Sequence, residues 1–114
     1  MLNQVVLVGR LTADIEAETV NGYKRTSLTL AVPRSYKNSD GLYDTDFIRC
    51  ILWNAVAENT SEYCHKGDVI GIKGRIETST YEKDGEKKYT TDVIAERVTF
   101  LSSNKNIETT EADE

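Results

Sequence analysis

Apolar side chains recur at every second position in run after run of this chain, and the period lengthens to that of a helix only once. The runs are QVVLVGRLTADI (4–15), KRTSLTLAVPRSY (24–36), TDFIRCILW (45–53), DVIGIKGRIETSTYE (68–82) and KYTTDVIAERVTFL (88–101). Each is rich in β-branched residues and bounded by turn formers, which makes five strands the simplest reading. Asn21-Gly22 and Asp84-Gly85 have the composition of two-residue hairpin turns, so the first two strands and the last two are expected to form hairpins. A polar loop, KNSDGLYDT, separates the second strand from the third. The exception is NAVAENTSEYCHKG (54–67), where Val56, Thr60 and Tyr63 or Cys64 recur at helical spacing. There Asn54 is the expected N-cap and Lys66-Gly67 the stop.

Five strands with one short helix between the third and fourth is the order of an OB-fold, an all-β Greek-key barrel with a partly open binding face. At 114 residues the chain has room for one such core. The domain is expected over residues 1–103. Residues 104–114, NKNIETTEADE, contain a single large apolar side chain and are expected to form a disordered acidic tail.

Alternation assigns the strand faces. In the third strand Ile48, Cys50 and Leu52 share one side, and Phe47, Arg49, Ile51 and Trp53 the other. If Ile70, Ile72 and Ile76 face the core in the fourth, then Lys73, Arg75 and Tyr81 point away from it. Aromatic rings interleaved with cations suit a single nucleic-acid strand, because unpaired bases present faces for stacking and phosphates need positive charge. The bland alternatives are barrel-surface aromatics that serve subunit contacts, and cations solvated or paired with Asp46 and Glu77. Gly71 and Gly74, spaced as GIKG, precede no helix and so form no phosphate loop; strand bends explain them better.

The net charge of −5 opposes a polyanionic partner, but its distribution weakens the objection: Glu108, Glu111, Asp113 and Glu114 against Lys105 place −3 of it in the last eleven residues. Cys50 and Cys64 lack metal-ligand spacing and are expected to be reduced packing residues. His65, the only histidine, stands at the end of the helical segment beside Lys66, where a positive charge is favourable. No nucleophile, base or carboxylate constellation is visible, so an enzyme is not expected, nor is a metal or other cofactor. No leader or membrane-spanning run is recognised, and the default location is cytoplasmic, in association with the nucleoid.

The segments NQVVLVGRLT, LTLAV, RSYKN, DFIRCILW, AEN, KGDVIGIKGRIETSTYE and YTTDVIAERVTFL together resemble the bacterial single-stranded DNA-binding proteins over about residues 1–101. The resemblance implies sequence-independent binding of single-stranded DNA in replication, recombination, repair or uptake. It implies base stacking by Tyr36, Phe47, Trp53 and Tyr81, phosphate contacts from Arg34 and Lys37, and cations along the DNA path at Arg49 and Lys66. It also implies a homotetramer, in which first strands pair into dimers and sheet faces pack the dimers together near Ile48. The chain departs from the family in TADIEAETV, which lacks the usual proline and arginine, and at Glu77 and Ser79, where arginines are common. It ends in TTEADE rather than in the acidic, proline- and phenylalanine-containing tip that docks replication and repair enzymes, so those partners are not expected. Two other classes stay open: an RNA-binding or primosome-type OB module, and a scaffold OB domain that holds its aromatics in protein contacts.

Overall fold

The computed structural model describes residues 1–102. Its elements are β1 (Val5–Leu11), β2 (Glu18–Val20), β3 (Tyr23–Lys37), β4 (Tyr43–Trp53), α1 (Asn54–Tyr63), β5 (Val69–Lys83) and β6 (Glu86–Ser102). The five long strands are those read from the alternation, and β2 is an additional three-residue strand. The order β1-β5-β6-β4-β3-β2, with a further β1–β3 pairing, closes the sheet into a five-stranded barrel with β2 on its margin. Every pairing is antiparallel except the short parallel contact of β4 with β6 at Cys50–Val93 and Ile51–Ile94. This is the expected OB-fold, with its one helix between the strand 45–53 and the strand 68–82.

The core follows from the alternation. Leu28 and Leu30 of β3, Cys50 and Leu52 of β4, Ile70 and Ile72 of β5, and Val93 and Ala95 of β6 are buried together. From α1, Ala57 joins them, as does Cys64 just beyond the helix, while Val56 packs against their edge. Both cysteines are free and buried, as expected of packing residues.

Local chemistry sets the turns. Asn21 and Gly22 have φ of 49° and 84°, and Asp84 and Gly85 have 54° and 77°, the paired left-handed conformations of a type I′ turn. Asp84-Gly85 joins β5 to β6 as expected. Asn21-Gly22 instead joins β2 to β3, and β1 meets β3 only through Arg10–Ala31 and Leu11–Leu30. A two-residue turn can join only its immediate neighbours, and TADIEAE carries the chain away from β1 before it turns.

Three local expectations are corrected. Asn54 is not the N-cap: Trp53 holds that position without a side-chain cap bond, and Asn54 opens the helix at φ 52°, a left-handed conformation that asparagine tolerates better than most residues. The helix ends at Tyr63 rather than at Lys66-Gly67. The loop after β3 shrinks to residues 38–42, because Asn38 Oδ1 accepts the N–H groups of Asp40 and Leu42 and closes a tight turn. Tyr36 stands near the end of β3, within the run 24–36. The tail expected over 104–114 lies outside the described residues.

Beyond Glu77 and Asp92, β5 and β6 pair only with each other, among the described residues, and form a two-stranded arm that leaves the barrel. A register shift between Lys73 and Gly74 precedes the arm, and there Gly74 packs so closely on Ile94 that a Cβ would collide with the Ile94 carbonyl. The GIKG glycines are thus unequal. Gly74 sits at the register shift in close backbone contact, whereas a Cβ at Gly71 would find its nearest neighbour at 3.7 Å.

Candidate nucleic-acid interface

Phe47 and Trp53 stand on the outer face of β4, opposite Ala31 and Arg25 of β3. Phe47 is 67% exposed and Trp53 38%. Because residues two apart on a strand point the same way, Arg49 falls between them with Ile51. Ile51 departs from the pattern, being only 4% exposed. The parallel contact with Ile94 covers it, so the outer face has an apolar floor in its middle. The Arg25 guanidinium lies 5.7 Å from the Trp53 ring centroid, a cation–π distance. Alternation places Arg25 outward, but only the β3–β4 register puts it beside Trp53, so a single-strand reading could not pair them.

The same face continues across the parallel contact onto β6 and β5, since Ile51, Ile94 and Arg75 are successive partners. Arg49 lies 3.8 Å from Asp92, and Arg75 lies 3.0 Å from Glu77 and 3.6 Å from Glu96. Tyr81 stands farther out on the arm opposite Lys88, half exposed. Tyr89, the most exposed tyrosine, is on the arm's other side opposite Thr80 and has no counterpart in the expected set. Ile76 was expected in the core but is 46% exposed. It lies at the last step of the wall before the arm, opposite Val93, and its backbone N–H and C=O bond the Asn3 side chain, which stands before β1.

The remaining expected residues are spread more widely. At the β3–β4 end, Lys37 Nζ sits 5.9 Å from the Tyr43 ring centroid, with Tyr36 exposed alongside in sequence. Arg34 is held by Asp46 at 2.9 Å and Asp44 at 3.8 Å. Its hydrogen bond to Asp46 raises the arginine pKa and lowers that of the carboxylate. Asp46 shares the Ile48 side of β4, so this pair is not on the Phe47–Trp53 face. Asp46 therefore pairs with Arg34 rather than with any of the cations for which the sequence offered it. Lys73 is opposite Val6 of β1 and Arg97 of β6, two residues before Arg75 and farther from β4 along the strand. Lys66 is off the sheet in the α1–β5 connection, where its backbone N–H bonds Asp14.

The model of the single-strand binding protein family matches residues 2–101. The chain belongs to that family. Single-stranded DNA-binding protein B of Bacillus subtilis is 47% identical over 103 residues, covering 89% of this chain and 91% of that protein. Single-stranded DNA-binding protein 3 of Listeria innocua is 45% identical over 108 residues, covering 93% of this chain and 68% of the relative. Among solved structures, a deletion mutant of the single-stranded DNA binding protein from Thermus aquaticus superposes with a TM-score of 0.76 at 33% identity. That match covers 90% of this chain, which spans about half, 52%, of the Thermus chain.

Proposed function

We propose that this single-strand binding protein family member is a non-catalytic binder of single-stranded DNA that takes bases by stacking and phosphates by scattered cations, without reading sequence. The observation that carries the reading is the outer face of β4. Two large aromatic side chains are held exposed there on a rigid sheet, with Arg25 and Arg49 beside them. Exposed aromatics on a sheet are costly unless covered, and a base covers a ring of any neighbour sequence. The path runs from Tyr36 and Lys37 over Phe47, Arg49 and Trp53 to Arg75 and Tyr81. Arg34, Lys66 and Lys73 are peripheral phosphate contacts. Residues 1–103 form the binding domain and 104–114 an acidic tail, and the place of action is the cytoplasmic nucleoid.

Self-association belongs to the same reading. Between Val5 and Val8, β1 is paired with β5 on one edge and has no ladder partner on the other, among the described residues. Val6 and Val8 are both exposed. An apolar strand with an open edge is a pairing surface, and a second copy of β1 satisfies it with closed two-fold symmetry. Packing of such dimers through sheet faces gives the tetramer.

Trp53 is the only tryptophan, so its emission tests the reading directly. Titration with oligo-dT is expected to quench it strongly and saturably. Unchanged emission with no binding in a second assay would favour the scaffold class, and equal affinity for oligo-U would favour an RNA-binding module.

A further inference from the structure

The arginines in the centre of the binding face are already matched by carboxylates of the same face. Arg49 lies 3.8 Å from Asp92, and Arg75 lies 3.0 Å from Glu77 and 3.6 Å from Glu96. Asp92 stands directly opposite Glu77 in the β5–β6 register. The row Arg49, Asp92, Glu77, Arg75, Glu96 thus sets two positive charges against three negative. Like charges opposite one another across antiparallel strands destabilise a sheet, so this placement is not one that strand pairing itself favours. Nor does it help to hold phosphate, because Glu77 accepts a hydrogen bond from the Arg75 guanidinium and Asp92 and Glu96 lie within ion-pair range of Arg49 and Arg75, offsetting the charge a phosphate would use.

The placement does distinguish two kinds of nucleic acid. A duplex offers phosphates at high density but keeps its base faces inside the stack; a single strand offers both. Sequence-independent duplex binding comes almost entirely from phosphate neutralisation and counterion release. Single-strand binding adds stacking, which a duplex cannot supply without unpairing.

We infer that Asp92 and Glu77 are specificity-determining residues that hold Arg49 and Arg75 neutral towards a phosphate-only ligand, and so exclude duplex DNA from a face built to take single strands. The inference rests on the single-strand reading proposed above. A bound phosphate must displace or share each guanidinium with its carboxylate. Stacking on Phe47, Trp53 and Tyr81 offsets that exchange for a single strand, and nothing offsets it for a duplex.

The test compares the full chain with the near-isosteric double variant Asp92→Asn, Glu77→Gln and with the single variant Glu77→Gln, whose side chain is half exposed. Affinities for oligo-dT and for a DNA hairpin duplex with the same number of phosphates are measured across a salt series, with circular dichroism and sedimentation confirming fold and assembly. In the double variant, duplex affinity at low salt is expected to rise by about tenfold, and the duplex log–log salt slope to steepen by about 0.9–1.8, one to two added phosphate contacts. Oligo-dT affinity rises less, so the preference for single strands falls. Glu77→Gln alone shows a smaller shift of the same sign and carries the test if the double variant does not fold. A folded variant whose duplex affinity and slope match the parent overturns the inference while leaving single-strand binding intact. A parent that fails to bind oligo-dT overturns the functional reading, and the inference with it.

Discussion

Arg25 of β3 and Trp53 of β4 are direct cross-strand partners, and the guanidinium lies 5.7 Å from the indole centroid. A cation over one side of a ring limits its rotation and leaves the other side for a base. Trp53→Ala and Phe47→Ala are each expected to weaken oligo-dT binding by about 1–3 kcal/mol, the range that alanine substitution gives for stacking residues of single-strand binders as a class. Arg25→Ala is expected to cost about 0.5–1 kcal/mol of binding through the loosened ring and one lost cation. Fluorescence titration measures Phe47→Ala and Arg25→Ala, and filter binding measures Trp53→Ala. Parental affinity in both aromatic variants, with fold and assembly unchanged, would show that the bases lie elsewhere.

The open edge of β1 makes a prediction about assembly. Placing the same charge at both exposed positions, Val6→Lys with Val8→Lys, is expected to shift the sedimentation equilibrium of a tetramer towards smaller species, because like charges brought together across a two-fold pairing edge oppose strand addition. Only monomer in the parent chain at micromolar concentration would refute the tetramer.

Gly74 and Gly71 provide an internal control for packing. A methyl group at Gly74 meets backbone that cannot retreat without breaking the β5–β6 ladder, so Gly74→Ala is expected to cost about 3 kcal/mol or more of unfolding free energy. At Gly71 the added atom reaches only ordinary van der Waals distance, and Gly71→Ala is expected to fall within about 0.5 kcal/mol of the parent. Urea unfolding of the two variants distinguishes them, and equal midpoints would refute the close approach.

Burial pushes the Cys50 thiol up to about 12, with Asp92 adding to the effect, and Cys64 up to about 11, with Asp68 contributing. A thiol whose pKa is higher in the folded state than in the unfolded chain stabilises the fold fully below the unfolded value, near 9.0, and loses that contribution as pH rises through the folded one. The parent should therefore lose more stability between pH 9 and 12 than a Cys50→Ala, Cys64→Ala variant does over the same interval, as read by urea midpoints. At pH 8 both thiols should resist iodoacetamide until denaturant is added. Rapid alkylation of the folded chain would show that the sites open.

Much of this architecture could be read locally because each strand carries its own period. Cys50 and Leu52 faced the core as their positions required, and Phe47, Arg49 and Trp53 faced out. What could not be read depends on partners distant in sequence. Ile51 is covered only because the barrel closes through β6, and Ile76 is exposed at the last step of the wall, with only the arm beyond it. The carboxylates around Arg34, and Glu96 beside Arg75, likewise come from pairings that no single run of residues displays, whereas Glu77 stands two positions from Arg75 in one strand. Asn21-Gly22 was recognisable as a turn, but a turn signal does not say which strand precedes it when a three-residue strand can intervene.

The arm formed by residues 78–83 and 86–91 contributes nothing to the buried core, and it springs from the end of the wall just past the register shift at Gly74. Its length is therefore a quantity that mutation can vary independently. Adding or removing one residue pair shifts Tyr81 by roughly one strand step, about 3.4 Å, and transfers it to the opposite side of the ribbon, whereas two pairs return it to its original side about 7 Å farther along. Reach can thus be tuned in increments of two pairs on a barrel that need not change at all, which makes the arm the cheapest part of this molecule to remodel for a longer or shorter footprint on its strand.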